Sequence, residues 1–352
     1  MQRPFIQTFL RSKIVAYPVA FFFLIFSMFI GIAIGSIHVP FWDISAILAH
    51  HLFGTSIEGA NEAFENIVWK IRFPRVLLAG LIGASLAIAG AAFQGLLRNP
   101  LADPYTLGIS SGASVGAVFV LFFHISIPFL GGFTLPVVSI AAAVLTIFCV
   151  LLFAQLIERS MKLETIILTG IIFSSFLGSF ISLMIALTGE ELRQIINWLL
   201  GSVSMRGWPY VQLMLPFFAG GALLLLYLAP ELNAMSFGEE KAKHLGVNVQ
   251  RKKILVLIAG SILTGAAVAV SGTIGFIGLV VPHFVRLLIG PDHRHLLPLS
   301  MIAGGGFLII ADLAARTIIS PTELPIGVIT SLIGAPVFAL ILMNRKRKGG
   351  VA

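Results

Sequence analysis

The chain has 352 residues, of which 58% are hydrophobic and only 11% charged, at a mean hydropathy of +1.01. A soluble domain carries about 25% charged residues, so a water-soluble enzyme and a disordered chain are both excluded. The net charge of +8 is scattered through short loops, which in a membrane protein records topology and does not point to nucleic acid.

A helix needs about 20 apolar residues to cross a bilayer. Apolar runs at 14–37, 75–97, 106–124, 133–157, 165–187, 209–230, 254–272, 275–289, 297–319 and 326–343 predict ten transmembrane helices. Together they make one all-α polytopic membrane domain over residues 1–352. The first run follows a basic flank, MQRPFIQTFLRSK, like that of a signal peptide. It is too long for a signal core and lacks a clean small-residue cleavage site, so it reads as a span. The eighth run is the shortest and carries Pro282 and Arg286. The lone Cys149 lies mid-span, so no internal disulfide forms.

Ten spans with both termini in the cytosol place 17 of the 23 Lys and Arg inside, Arg3, Arg11 and the Arg345–Lys348 run among them. The six outside are Lys70, Arg72, Arg75, Arg193, Arg206 and Arg316. Positive-inside bias favours this orientation. The segments GASLAIAG, from Gly83 to Gly90, and GAAVAVSG, from Gly265 to Gly272, are alike and lie five crossings apart. The copies therefore run in opposite directions, as in an inverted-topology repeat.

Between the spans, the longest outer segment, 38–71, holds Asp43, Glu58, Glu62 and Glu65 and ends near Arg72 and Arg75. Arg316 follows Asp312 by four residues. Two readings stay open for these arginines: snorkelling and a helix-face pair, or a cationic rim for a partner's carboxylates. The cytosolic segment 231–253 is longer than a bare connection needs. Ser236 with Glu239 has capping-box spacing, Gly246 suits a helix stop, and Asn248 suits the next start. Two short helices joined at a glycine are expected, with Phe237, Ala242 and Leu245 giving an apolar side for docking a cytosolic protein.

The spans themselves are almost free of charge: Asp103, Glu164, Asp312 and Glu323 all sit near span ends. Span five carries Ser175, Gly178, Ser179 and Ser182 on one face, and span ten carries Gly327, Thr330, Ser331 and Gly334. Such stripes suit either tight helix packing or the wall of a passage. There is no HExxH and no Gly-Lys dipeptide, so neither a zinc protease motif nor a nucleotide loop is present. The pairs His50–His51 and His293–His295 lack a matching Cys or carboxylate cluster and read as solvated, with His283 a packing residue. Nothing in the chain captures chemical energy. An ion-gradient carrier, an intramembrane enzyme and a receptor are weaker readings, because mid-span ionisable groups, a nucleophile–base pair and a bare loop are respectively missing.

Long blocks carry a resemblance. They are IRFPRVLLAGLIGASLAIAGAAFQGLLRNPLADPYTLGISSGA from Ile71 to Ala113, FGEEKAKHLGVNVQ from Phe237 to Gln250, and GTIGFIGLVVPHFVRLLIGPDHRHLLP from Gly272 to Pro298. ADLAAR from Ala311 and ELPIGVITSLIGAPVF from Glu323 complete them. The chain resembles the permease subunit of type II ATP-binding-cassette importers for iron–siderophore complexes, haem and cobalamin.

The resemblance implies a ten-helix permease in a bacterial cytoplasmic membrane, dimeric with a second copy or paralogue and surrounded by lipid. Two ATPase subunits using ATP and Mg, and an extracytoplasmic substrate-binding protein, complete the machine; this chain would bind no cofactor or metal. It implies binding-protein docking at Arg72, Arg75 and Arg316, and ATPase coupling through Phe237, Gly238, Glu239, Ala242, Leu245, Gly246 and Val247. Cytoplasmic gates would include Asn99, Pro100 and Leu101, and the loop with Leu163 and Glu164, where relatives often carry small hydroxyl residues instead. Spans five and ten would line the pathway through Ser175, Ser179, Ser182, Gly327, Thr330 and Gly334. An iron–siderophore chelate is the first expectation for cargo, with haem or cobalamin as alternatives.

Overall fold

The computed structural model describes residues 13–349 apart from 36 and 56–60, and leaves the side chains of 340–342 and 344–349 undescribed. Arg3, Arg11, Glu58 and the side chains of Arg345–Lys348, which enter the charge reading above, therefore lie outside the described residues. The described residues hold fourteen α-helices and no strand. In chain order they begin α1 (Lys13–Ala33), α2 (Phe41–Phe53), α3 (Glu62–Leu96), α4 (Ile109–Phe122), α5 (Thr134–Ile157) and α6 (Leu163–Leu187). There follow α7 (Leu192–Leu199), α8 (Trp208–Tyr227), α9 (Ala229–Ser236) and α10 (Glu239–His244). Last come α11 (Val249–Ser271), α12 (Ile277–Ile289), α13 (His293–Thr317) and α14 (Ile326–Gly349).

Each of the ten apolar runs is a helix. Seven of them, α1, α3, α5, α6, α8, α11 and α13, are long and apolar enough to cross a membrane. The other three, α4, α12 and the Ile326–Ala339 part of α14, are apolar but shorter.

The most enclosed helix is α3, which packs against α13, α11, α12 and α8. Its small residues allow this, because a helix backbone approaches another closely only where no side chain intervenes. A Cβ added at Gly83 would lie 2.2 Å from the Gly304 carbonyl oxygen, and one at Gly90 only 2.0 Å from that of Gly278. The outer end of α3 has a different geometry. Pro74 has no N–H to donate, and the turn before it widens into a π-helix over Asn66–Arg72, with Phe73 N–H reaching the Val68 carbonyl.

The helix pairing has a regular pattern. As α3 packs on α13, α11 packs on α5; as α4 packs on α5 and α6, α12 packs on α13 and α14. The chain also turns back on itself after α11. Gly260 lies against Phe93 of α3, and Gly272 is a dozen residues, about 18 Å, further along α11. Yet Gly278 lies against Gly90, close to Phe93 again. Residues 273–276 therefore run back along the bundle as non-helical chain before α12 starts.

The crossing of α3 and α12 makes a direct prediction. Gly90→Val should destabilise the purified protein by roughly 1–3 kcal/mol or more, because the backbones must separate. Gly178→Ala, where an added Cβ meets nothing within 4 Å, should leave thermal unfolding in detergent unchanged.

Candidate functional site: an elbow, a cavity with hydroxyl groups and an arginine–carboxylate cluster

The segment 231–253 folds as two short helices joined at Phe237–Gly238, where Gly238 has φ +114°. The expected capping box is not formed. Ser236 Oγ donates to the Asn233 carbonyl at 2.7 Å and ends α9, while Gly238 occupies the N-cap of α10. Glu239 instead turns to Lys253, 2.8 Å away. The α10 terminus does follow the expectation. Gly246 N–H donates to Lys243 and Val247 N–H to Ala242, a Schellman pair that needs the left-handed φ of +83° at Gly246. Asn248 then caps α11 through Arg251 N–H. Ala242 faces inward, whereas Phe237 and Leu245 are each 70% exposed. They project from the elbow as two apolar knobs.

The elbow stands beside both expected gates. Arg98, Lys162, Leu163 and Glu164 share with Phe237–Lys241 a cleft of about 420 Å³. Next to Arg98, Asn99 accepts from Leu101 N–H at 2.9 Å, holding the Asn99-Pro100-Leu101 turn with Leu101 exposed. The second loop is braced by Glu158, which accepts from Lys162, Ser160 and Thr165. The Lys162 ammonium holds the Glu158 carboxyl down to about 2.

Between the faces lies the turned-back stretch. Tyr105, just before α4, donates its hydroxyl to the Ile274 carbonyl at 2.8 Å and accepts from Ile274 N–H at 2.9 Å. Ser202 N–H donates to Ser271 and Ile326 N–H to Gly201, so the surrounding backbone is also paired. Non-helical chain among membrane helices needs such partners. Beside it opens a cavity of about 600 Å³ whose polar lining is mainly hydroxyl: Tyr105, Ser110, Ser111, Ser114, Thr273 and Ser331.

At the opposite end, the three arginines are engaged internally. Arg72, 5% exposed, donates to the carbonyls of Ile32 and Ala33 at 2.8 and 3.0 Å and also to Ile37, which ends α1. Arg316 donates to the Gly31 carbonyl and lies 3.8 Å from Asp312. Arg75 is clamped between Asp312 at 2.8 Å and Glu323 at 2.8 Å. Fork-shaped guanidinium geometry lets one arginine serve both carboxylates. Glu323, outside the helices, is held below the usual carboxylate range by its hydrogen bond to Arg75.

The family model of the FecCD transport family matches residues 23–344, almost the whole chain. The chain belongs to the FecCD transport family. A relative 60% identical over 350 residues, covering 99% of each chain, is an uncharacterized ABC transporter permease protein, YvrB, of Bacillus subtilis strain 168. The cobalamin import system permease protein BtuC of Halobacterium salinarum is 43% identical over 288 residues, covering 82% of this chain and 76% of its own. A solved structure described as an inward-facing conformation of a metal-chelate type ABC transporter superposes with a TM-score of 0.79 at 29% identity, covering 94% of this chain and 99% of that one.

In this FecCD protein the elbow Phe237–Lys241 shares its cleft with Lys162, Leu163 and Glu164 and with Arg98, next to the Asn99–Leu101 turn, a grouping that the sequence did not predict. The span-five hydroxyls Ser175, Ser179 and Ser182 are exposed on the surface of the single chain. The span-ten stripe divides. Gly327 and Ser331 line the cavity, but Thr330 is fully buried and Gly334 packs on Phe276, where a Cβ would be 2.5 Å from Phe276 Cβ. Thr330 donates to the Gly327 carbonyl at 3.1 Å within α14, and Gly334 is pressed against Phe276 at the start of α12. Ser110, Ser111, Ser114 and Thr273 were not singled out from the sequence; the hydroxyl run ISSGAS was the available signal. The histidines also differ from the solvated expectation: His51 stacks on Trp69 at 4.1 Å, and His293 is buried against Asn233. Among the described residues no cluster suits a metal ion.

Cysteine at Ser179 or Ser331 should react with a water-soluble thiol reagent in the assembled complex, while cysteine at Thr330 should stay protected. Arg75→Gln should cost up to about 3–5 kcal/mol, because the buried Asp312 carboxylate keeps only Arg316 at 3.8 Å; adding Asp312→Asn should recover part of it in thermal unfolding. The Glu323 pairing stabilises the fold fully above the ordinary carboxyl pKa of 4.5 and is lost as pH falls through the depressed value. Glu323→Gln should therefore flatten stability against pH below about 4.5.

Proposed function

We propose that the chain is the membrane-spanning subunit of an ATP-driven importer that admits a metal chelate, an iron–siderophore complex first, to the bacterial cytoplasm. The observation that carries this is the convergence of the elbow Phe237–Lys241 with Arg98 and the Lys162–Glu164 loop in one cleft. A partner ATPase gripping the exposed Phe237 and Leu245 would act directly on the parts that close the passage. The family, the cobalamin-permease relative and the metal-chelate-type structural neighbour support the class of cargo.

In this reading all ten apolar helices cross, with both termini cytosolic, and they form two five-helix halves of inverted topology. The matched helix pairs support it: each contact in one half named above has its counterpart five crossings on. Two permeases would face each other across their hydroxyl surfaces, with Ser175, Ser179 and Ser182 completing the wall begun by the cavity. Weak hydroxyl contacts suit a passage that must release what it admits. Selectivity would come from a substrate-binding protein outside. Docking on Arg72, Arg75 and Arg316 requires an exchange, since Arg72 and Arg316 hold backbone carbonyls and Arg75 would have to trade Glu323 for a partner carboxylate.

The double variant Phe237→Ser, Leu245→Ser should fold normally, because both side chains are exposed, yet lose its ATPase subunits on purification. Wild type reconstituted with the ATPases and binding protein should accumulate a ferric chelate in vesicles only with ATP. Accumulation against a gradient by the chain alone, without nucleotide, would overturn the proposal.

A further inference from the structure

A lysine that the sequence presents only as one more cytosolic charge occupies a different position in the fold. Lys253 lies near the start of α11 beside Arg251 and Lys252. Arg251 is exposed and Lys252 pairs with Glu231 at the surface, but Lys253 is 2% exposed. Lysine is almost never fully buried unless paired. Here the ammonium donates to Glu239 Oε1 at 2.8 Å and to the Met161 carbonyl at 3.0 Å. Glu239 is the first residue of α10, immediately after the left-handed Gly238 of the elbow. Met161 is buried in the second gate loop, with a left-handed φ of +47°.

We propose that Lys253 is a positioning residue for transport, joining the elbow to the second gate loop so that α10 and residues 158–164 move as one body. The proposal rests on the coupling reading above and adds the part that transmits the movement. Three elements meet at one nitrogen. The carboxylate comes from the helix that an ATPase would pull, the carbonyl from the loop that would open, and the lysine stem from the long helix α11 that spans the bundle. Glu158 organises the loop from its other side through Lys162, Ser160 and Thr165, so the carbonyl is presented by a braced turn. A displacement of α10 that left the loop behind would strand the ammonium away from water, which is costly. Joint movement keeps both bonds.

The test uses the complete importer, with both ATPases and the binding protein, in vesicles supplied with a ferric chelate. Lys253→Met keeps the stem volume and removes both bonds. Transport per ATP hydrolysed should fall roughly fivefold or more, the lower range of typical coupling between sites, with ATPases still co-purifying at the wild-type ratio. Glu239→Gln should lower the same ratio, and the double variant should be no worse than Lys253→Met, since both remove one link. Spin labels at Glu164 and Lys243, an exposed position of α10, should keep their separation between nucleotide-free and ATP-bound states in the wild type and lose that constancy in Lys253→Met.

An unchanged transport-to-ATP ratio in assembled Lys253→Met overturns the inference, as does a wild-type label distance that changes with nucleotide. If Lys253→Met fails to assemble, Glu239→Gln decides, and an unaltered ratio there is equally fatal. Failure of the parent reading looks different: Phe237→Ser, Leu245→Ser would then retain its ATPases.

Discussion

Close contact between polypeptide backbones governs this structure. The helix α3 is surrounded by α8, α11, α12 and α13, and it meets two of them where glycine faces glycine. Lipid tails are as apolar as leucine, so helices gain little by hiding apolar side chains from lipid and associate mainly through tight van der Waals fit. Gly83 against Gly304 and Gly90 against Gly278 supply that fit. With Gly278 held against Gly90, the chain leaving α11 must turn back through residues 273–276 to reach α12.

The return has a chemical requirement. Chain outside a helix exposes its N–H and C=O groups, and among apolar neighbours these must be paired within the protein. The Tyr105 hydroxyl meets it by bonding both backbone groups of Ile274. This contact joins the segment before α4 to the segment before α12, the same position in each half of the helix pattern. The cavity with its hydroxyl groups opens beside the junction, and Tyr105 and Thr273 belong both to its lining and to the pairing of the irregular backbone.

Hydropathy made all ten helices legible, since long apolar runs have few alternatives to helix. The first of the two Gly-rich octets marks α3, whose backbone meets α13 at Gly83 and α12 at Gly90; in the second, Gly265 meets the Ala143 side chain. The elbow was read correctly at Gly246 and Asn248, where local backbone bonds decide the outcome. It was misread at Ser236, because Glu239 prefers a buried ammonium fourteen residues on to a nearby N–H. The outer arginines show the same limit. Their side of the bundle was apparent from the spans, but that Arg72 and Arg316 would close the end of α1 depends on helices distant in sequence. Stripe reading failed for Thr330 and Gly334 because a period of 3.6 gives a face without saying what that face meets.

The uneven burial of the helices has a mechanical consequence. With glycine backbones in direct contact, α3, α12 and α13 cannot slide past one another without first parting, so they form a stator. By contrast α6, largely exposed in the single chain, is held mainly along one flank by α4, α5 and the turn Pro104–Leu107 before α4. Since α6 begins at the loop whose Met161 carbonyl Lys253 holds, this lightly enclosed helix is tied at its first turn to α10 and α11.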